Sequence, residues 1–170
     1  MIPMSLLGVR VEVPTNQPIV LLREEDGTRY LPIFIGAPEA TAIAYALQGV
    51  ETPRPMTHDL FTTVMDELGA RLEQVEITDL DDGTFFAEIT LRHAAGVTRL
   101  SARPSDAFAL AVRQVHPVPI LASEDVLAEA GVHYDVDDAP EVLSGPGADA
   151  PDLEEFHEFI EQVRPEDFLD

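Results

Sequence analysis

Residues 4–13, MSLLGVRVEV, alternate apolar and polar side chains with the two-residue period of a half-buried strand. Two further strand-like runs, 18–23 (PIVLLR) and 29–35 (RYLPIFI), flank EEDGT, whose Asp26-Gly27 pair is a hairpin-turn signal. These two runs are predicted to pair antiparallel. Gly36 ends the second, and from Pro38 the period becomes helical. Proline suits a first helical turn because its missing N–H would have no partner there anyway, and Gly49 is a natural stop. Ala40, Ala42, Ala44 and Ala46 let this helix approach another backbone closely, either the sheet or a second subunit.

ETPRP, residues 51–55, reads as a rigid extended link, because each proline disfavours helix at the residue before it. A second helix is expected next, with Thr57 as N-cap and Asp59 in the first turn. Its apolar stripe would be Leu60, Phe61, Val64, Met65 and Leu68, and Gly69 would close it. RLEQVEITDL and FFAEITLR flank Asp81-Asp82-Gly83-Thr84 and predict a second hairpin. Ala95-Gly96 then turns the chain into VTRLSAR. A third helix starts near residue 104, with Ser105 as cap, Asp106 opposing the positive helix end, and Phe108, Leu110, Ala111 and Val112 on the apolar side. PVPIL is a short strand or extended run, and Ser123-Glu124-Asp125 caps a brief helix ending at Gly131.

The pattern is therefore α+β: a mixed, largely antiparallel sheet of hairpins with helices packed on it. One domain is expected over 1–132. Residues 133–150 contain GPG and few apolar side chains and read as an acidic linker. Residues 151–170 carry Leu153, Phe156, Phe159, Ile160 and Val163 at helical spacing, an acidic amphipathic helix that either docks on the body or binds a partner.

Charge sharpens this division. Asp and Glu number 32 against ten basic residues, all of them arginine, for a net charge of −22. Residues 1–131 hold 19 acids and 9 arginines, whereas 132–170 hold 13 acids and a single arginine. The tail thus carries over half of the net charge and suits a basic protein partner. Such a surface repels a polyanion, so a nucleic-acid role requires a local arginine patch. No apolar run approaches the roughly 20 residues of a membrane span, and the start lacks a basic region and a cleavage site. With no cysteine there is neither disulfide nor thiolate metal site. A cytoplasmic protein is the default expectation.

Two of the predicted helices open alike. One reads Arg54-Pro55-Met56-Thr57-His58-Asp59 and the other Arg103-Pro104-Ser105-Asp106. Helix N-termini expose unpaired N–H groups and attract anions, so two of them beside arginines can form an anion notch. His58 adds acid–base capacity if Asp59 or Asp106 orients its ring. The same residues also read as ordinary caps, with each arginine paired to the other loop's aspartate. Glu39, at another helix start, is a dipole partner or a further site acid. No cofactor motif is evident. The five histidines show no zinc spacing, and the aspartates near 79–82 lack the calcium-loop pattern.

Taken together, LPIFIGAPEATAIAYALQG, PRPMTHDL, DLDDGTFFAEITL and ARPSDAFALAVR resemble the bifunctional nuclease domain family, in order and spacing, from about residue 4 to about residue 131. The resemblance implies an α+β domain, a homodimer or higher oligomer, and cleavage of RNA and DNA. It carries over Arg54, Thr57, His58, Asp59, Arg103, Ser105, Asp106 and Glu39 as motif positions; of these, His58, Asp59 and Asp106 are the candidate catalytic residues, Arg54, Thr57, Arg103 and Ser105 the candidate substrate-binding ones, and Glu39 a further candidate. Ser101 stands where many members have Asp. Cleavage of both polymers calls for attack by water, because DNA has no 2′-OH; a divalent metal on Asp59, Asp106 and Glu39 would assist it. The alternative is a non-catalytic oligomeric interaction or regulatory protein with a partner-binding or autoinhibitory acidic tail.

Overall fold

The computed structural model describes residues 1–12 and 16–133. In chain order these form β1 (Ile2–Glu12), β2 (Gln17–Glu24), β3 (Arg29–Phe34), α1 (Ala37–Gln48), α2 (Thr57–Glu67), β4 (Arg71–Asp81), β5 (Thr84–His93), β6 (Gly96–Ala102), α3 (Pro104–Ala111), β7 (Ile120–Ala122), α4 (Glu124–Ala130) and β8 (Val132–His133). All the described strands belong to one sheet, ordered β6-β5-β4-β7-β1-β2-β3-β8. The α+β expectation holds. Of the segments expected at 133–150 and 151–170, only His133 falls within the described residues. Among them, no helix is long and apolar enough to cross a membrane.

Two antiparallel units make up the sheet. β1, β2 and β3 are one, with Val20 opposite Ile33 and Leu22 opposite Leu31. β4, β5 and β6 are the other; their first turn, Asp82-Gly83, has both residues at positive φ (46° and 74°), as the mirror-image hairpin turns require. The three residues of β7 join the units, pairing antiparallel with β1 and parallel with β4. α4 touches both β3 and β4 although β7, β1 and β2 lie between them, so the sheet curls around its core. Ser123 caps α4 by accepting from the Val126 N–H at 3.1 Å, as expected from the sequence.

The core lies between the sheet and α1 and α3. Val20, Leu22, Leu31, Ile33, Leu72, Val75, Ile77, Ile89 and Ile120 meet Ile43 of α1 and Phe108 of α3. The alanines of α1 serve contacts within the chain: Ala40, Ala42 and Ala44 are buried, and α1 packs on α3, β1 and β2.

Four local expectations are corrected. Met56, not Thr57, is the N-cap of α2, and Thr57 is its first helical residue. Arg103 is the N-cap of α3, which leaves Ser105 inside the helix and buried. The shift in α3 follows from proline geometry: Pro104 takes the first helical position, where its ring angle is already helical. Val132 and His133 pair with Tyr30 and Arg29 as a short edge strand, so His133 belongs to the sheet rather than to the linker. Last, the stripe of α2 is mostly not core. Met65 is buried, but Leu60, Phe61, Val64 and Leu68 are exposed, Leu68 by 75%. α3 already occupies that part of the sheet, so α2 forms an outer layer resting on α3.

Phe108→Ala should therefore cost roughly 3–5 kcal/mol of unfolding free energy, as for a fully enclosed aromatic. Leu68→Ala should change it by less than about 0.5 kcal/mol. Urea unfolding of both variants measures the contrast; equal losses would contradict the layering.

Candidate active site

Helices α1, α2 and α3 share a start. None has a side-chain cap, and each carries an acid at its third position: Glu39, Asp59 and Asp106. An acid there faces the positive end of the helix dipole. Asp59 folds back to accept from the Met56 N–H at 2.8 Å. Glu39 folds back over Gly36, where a Cβ would lie 2.3 Å from its Oε2, so glycine is needed at 36 for this arrangement.

The start of α2 meets the start of α3. His58 Nε2 lies 3.0 Å from Asp106 Oδ1. Arg103 grips the same carboxylate with two donors, Nε to Oδ2 at 2.7 Å and Nη2 to Oδ1 at 3.0 Å, and Nη2 also donates to Glu39 Oε1 at 2.8 Å. Four of the sequence-predicted residues are thus in one chain of contacts: His58, Asp106, Arg103 and Glu39.

The other four are placed differently. Asp59 turns away to Arg113, whose Nε donates to its Oδ1. Arg54 is exposed, and its guanidinium makes no ion pair among the described residues. Thr57 is exposed at the first position of α2. Ser105 is buried and lines a cleft beside Arg103. The expected pairing of each arginine with the other loop's aspartate does not form: Arg103 binds the aspartate of its own helix, and Asp59 binds an arginine that the sequence reading passed over.

That arginine holds the three helices together. The Arg113 side chain is only 7% exposed. Besides Asp59 on α2, it donates to the Ala109 carbonyl of α3 at 2.8 Å and the Ala42 carbonyl of α1 at 3.0 Å. One signal was available: a basic residue just past a helix end commonly binds its last carbonyls.

Electrostatics follow from these contacts. Burial disfavours charge on Asp106, but hydrogen bonds from Arg103 and His58 outweigh it and hold the carboxyl below the usual range. Asp59 is lowered likewise: burial opposes its charge, and Arg113 and the Met56 amide overcome it. The bond to Asp106 raises the pKa of Arg103. An ionised carboxylate only accepts, so in the neutral imidazole Asp106 sets Nε2 as the protonated nitrogen of His58 and leaves Nδ1 with the lone pair. Arg103 Nη1 has no partner among the described residues, on a side chain 65% exposed. The group Asp59, Asp106 and Glu39 does not assemble, and among the described residues no three His, Cys, Asp or Glu side chains converge as metal ligands.

Comparison with known proteins agrees with the sequence motifs. Residues 20–135 match the model of the bifunctional nuclease domain. The chain belongs to that family. Two Mycobacterium tuberculosis proteins, named uncharacterized protein Rv1829 and uncharacterized protein MT1877 in two strains, are each 46% identical to it over 163 residues, covering 96% of this chain and 95% of theirs. The matched bifunctional nuclease region includes Glu39, His58, Arg103, Asp106 and Arg113.

Because the folded pKa values of Asp106 and Asp59 lie below the unfolded value near ~3.9, their contribution to stability is complete above that pH. It is lost as pH falls through the lowered folded values. Asp106→Asn should flatten the acid limb of the stability curve below about pH 4, read from urea midpoints across a pH series. An unchanged acid limb would mean that the carboxylate gains nothing from Arg103 and His58.

Proposed function

We propose that this chain is a nuclease that cleaves phosphodiester bonds of RNA or DNA, with the His58–Asp106 pair as its base. The observation that carries the reading is the ordered contact from Glu39 through Arg103 and Asp106 to His58, which leaves one unengaged lone pair and one unengaged guanidinium edge. His58 Nδ1 would take a proton from an attacking water. The new P–O bond forms as the bond to the leaving sugar oxygen breaks, and solvent returns a proton to that oxygen. Arg103 Nη1 would face the charge that develops on the non-bridging oxygens. Glu39 and Asp106 would hold the guanidinium in place. Arg54, Thr57 and Asp59 would serve at most the approach or the scaffold, because their side chains lie outside this chain of contacts.

A non-catalytic role in an oligomer is the second reading, favoured by one observation: four large apolar side chains of α2, Leu60, Phe61, Val64 and Leu68, stand exposed on the helix that carries His58. We include self-association through this face in the proposal. The tail at 133–170, suited by its charge to a basic partner or to masking the body's arginines, enters the same reading.

Purified protein should cleave RNA or DNA, assayed with and without chelator. His58→Ala should lower the rate by about 10²–10⁴-fold and Arg103→Ala by about 10²–10³-fold. Equal activity in the parent and both variants would remove the site. Removal of residues 136–170 should raise the rate if the tail masks the arginines. In sedimentation, Leu60→Ser combined with Leu68→Ser should shift any oligomer toward monomer; an unshifted oligomer would place the interface elsewhere.

A further inference from the structure

Beside Arg103 lies a cleft of about 310 Å³, between the end of β3, the β4–β5 turn and the start of α3. Its walls include Ile33, Phe34, Phe85 and Thr84, and Arg103 is its charged residue. Phe34 is 53% exposed and so leaves apolar surface open beside the cleft that it lines. The volume is at the small end of the roughly 300–1,000 Å³ typical of ligand pockets, enough for a flat ring system.

We infer that this cleft binds a single nucleobase, stacked on Phe34, with the sugar-linked phosphate of that nucleotide placed against Arg103. The inference rests on the nuclease reading for its orientation and on the cleft for its chemistry. Apart from Arg103 the lining is uncharged, which suits an uncharged ring joined to an anion. The chain of contacts also argues that the base, not the phosphate, supplies the binding. With neutral His58, the acids Glu39 and Asp106 outnumber Arg103, so a free phosphate gains little there. Stacking is insensitive to base identity, because every base has a π-face, and the lining also includes Thr84, Gly36 and Gly83, which carry a hydroxyl and backbone polar groups. A single-stranded region is then the substrate class, since a paired and stacked base cannot enter a recess of this size.

The test is titration of the full-length, ¹⁵N-labelled protein with adenosine, guanosine, cytidine and uridine, and separately with inorganic phosphate. Nucleosides should shift the amide signals of Gly36, Gly83, Thr84 and Ser105, and phosphate alone should not. Phe34→Ala should weaken nucleoside binding at least about tenfold, the scale of one lost stacking partner. Thr84→Lys, at an exposed position, should obstruct the cleft and give the same loss if the first variant fails to fold. Shifts with phosphate but not with nucleosides, or nucleoside binding unchanged in the folded variants, would overturn the inference. The nuclease reading is judged separately. Nucleoside binding without any cleavage supports the cleft and removes the nuclease; cleavage without nucleoside binding overturns the cleft and leaves the nuclease.

Discussion

Helix α3 is enclosed by α1, α2, β4 and β5, and all its residues except Asp106 are buried. This enclosure governs the rest. A helix in such a position needs small side chains where backbones approach and large ones to fill the remaining core space; Ala107, Ala109 and Ala111 supply the first, Phe108 and Leu110 the second. Its N-terminus is the end through which it communicates with water. Pro104 removes one unpaired N–H there, and Asp106 answers the remaining dipole. Because Asp106 is partly buried, its charge must be compensated, and His58 and Arg103 converge on it from two directions. The constellation is thus a solution to a burial problem before it is the proposed catalytic device. The same geometry leaves His58 with a defined tautomer.

The opposite end of α3 obeys the same logic with the signs reversed. Carbonyls at a helix C-terminus lack partners, and Arg113 answers that of Ala109 while reaching Ala42 on α1 and Asp59 on α2. One buried guanidinium therefore ties three helices together. Since α2 rests on α3 and otherwise presents apolar side chains to solvent, the angle at which α2 delivers His58 depends on this tie and on the contact of Met65. The two aspartates that looked equivalent in sequence divide the work: Asp106 positions the imidazole, and Asp59 anchors the helix that carries it.

Local rules made much of this legible. The period-two runs, the Asp-Gly turns and the Gly49 stop, which is left-handed at φ 66°, depend on neighbours in sequence, and they appear where expected. What escaped depends on long-range contact. PVPIL gave no hint that the strand it enters, Ile120–Ala122, would join two antiparallel units, because a three-residue strand takes its role from the partners it finds. The stripe of α2 had the period of a core face, but periodicity cannot tell whether another helix already occupies the sheet. Arg113 was unremarkable beside the paired Arg-Pro motifs, and its role exists only because Ala42 and Asp59, 71 and 54 residues away, come within reach. Arg54 shows the converse: the motif resemblance that joined it to Arg103 was real in sequence and absent in space.

A protein of net charge −22 is a poor general attractor of nucleic acid, and the acids at the starts of α1, α2 and α3 cancel the positive ends that would otherwise draw phosphate. Long-range steering is therefore weak, and recognition has to be short-range. The site is arranged accordingly. Arg103 is held on one edge by two carboxylates, which lowers its pull on distant anions but presents the remaining edge in a defined direction. Such an edge contributes most when charge develops close to it, as in a transition state, and little to ground-state attraction. Discrimination of this kind favours rate over affinity. On the proposed nuclease reading it also places the burden of holding substrate on uncharged contacts, and apart from Arg103 the cleft beside it is lined by uncharged residues, the half-exposed Phe34 among them.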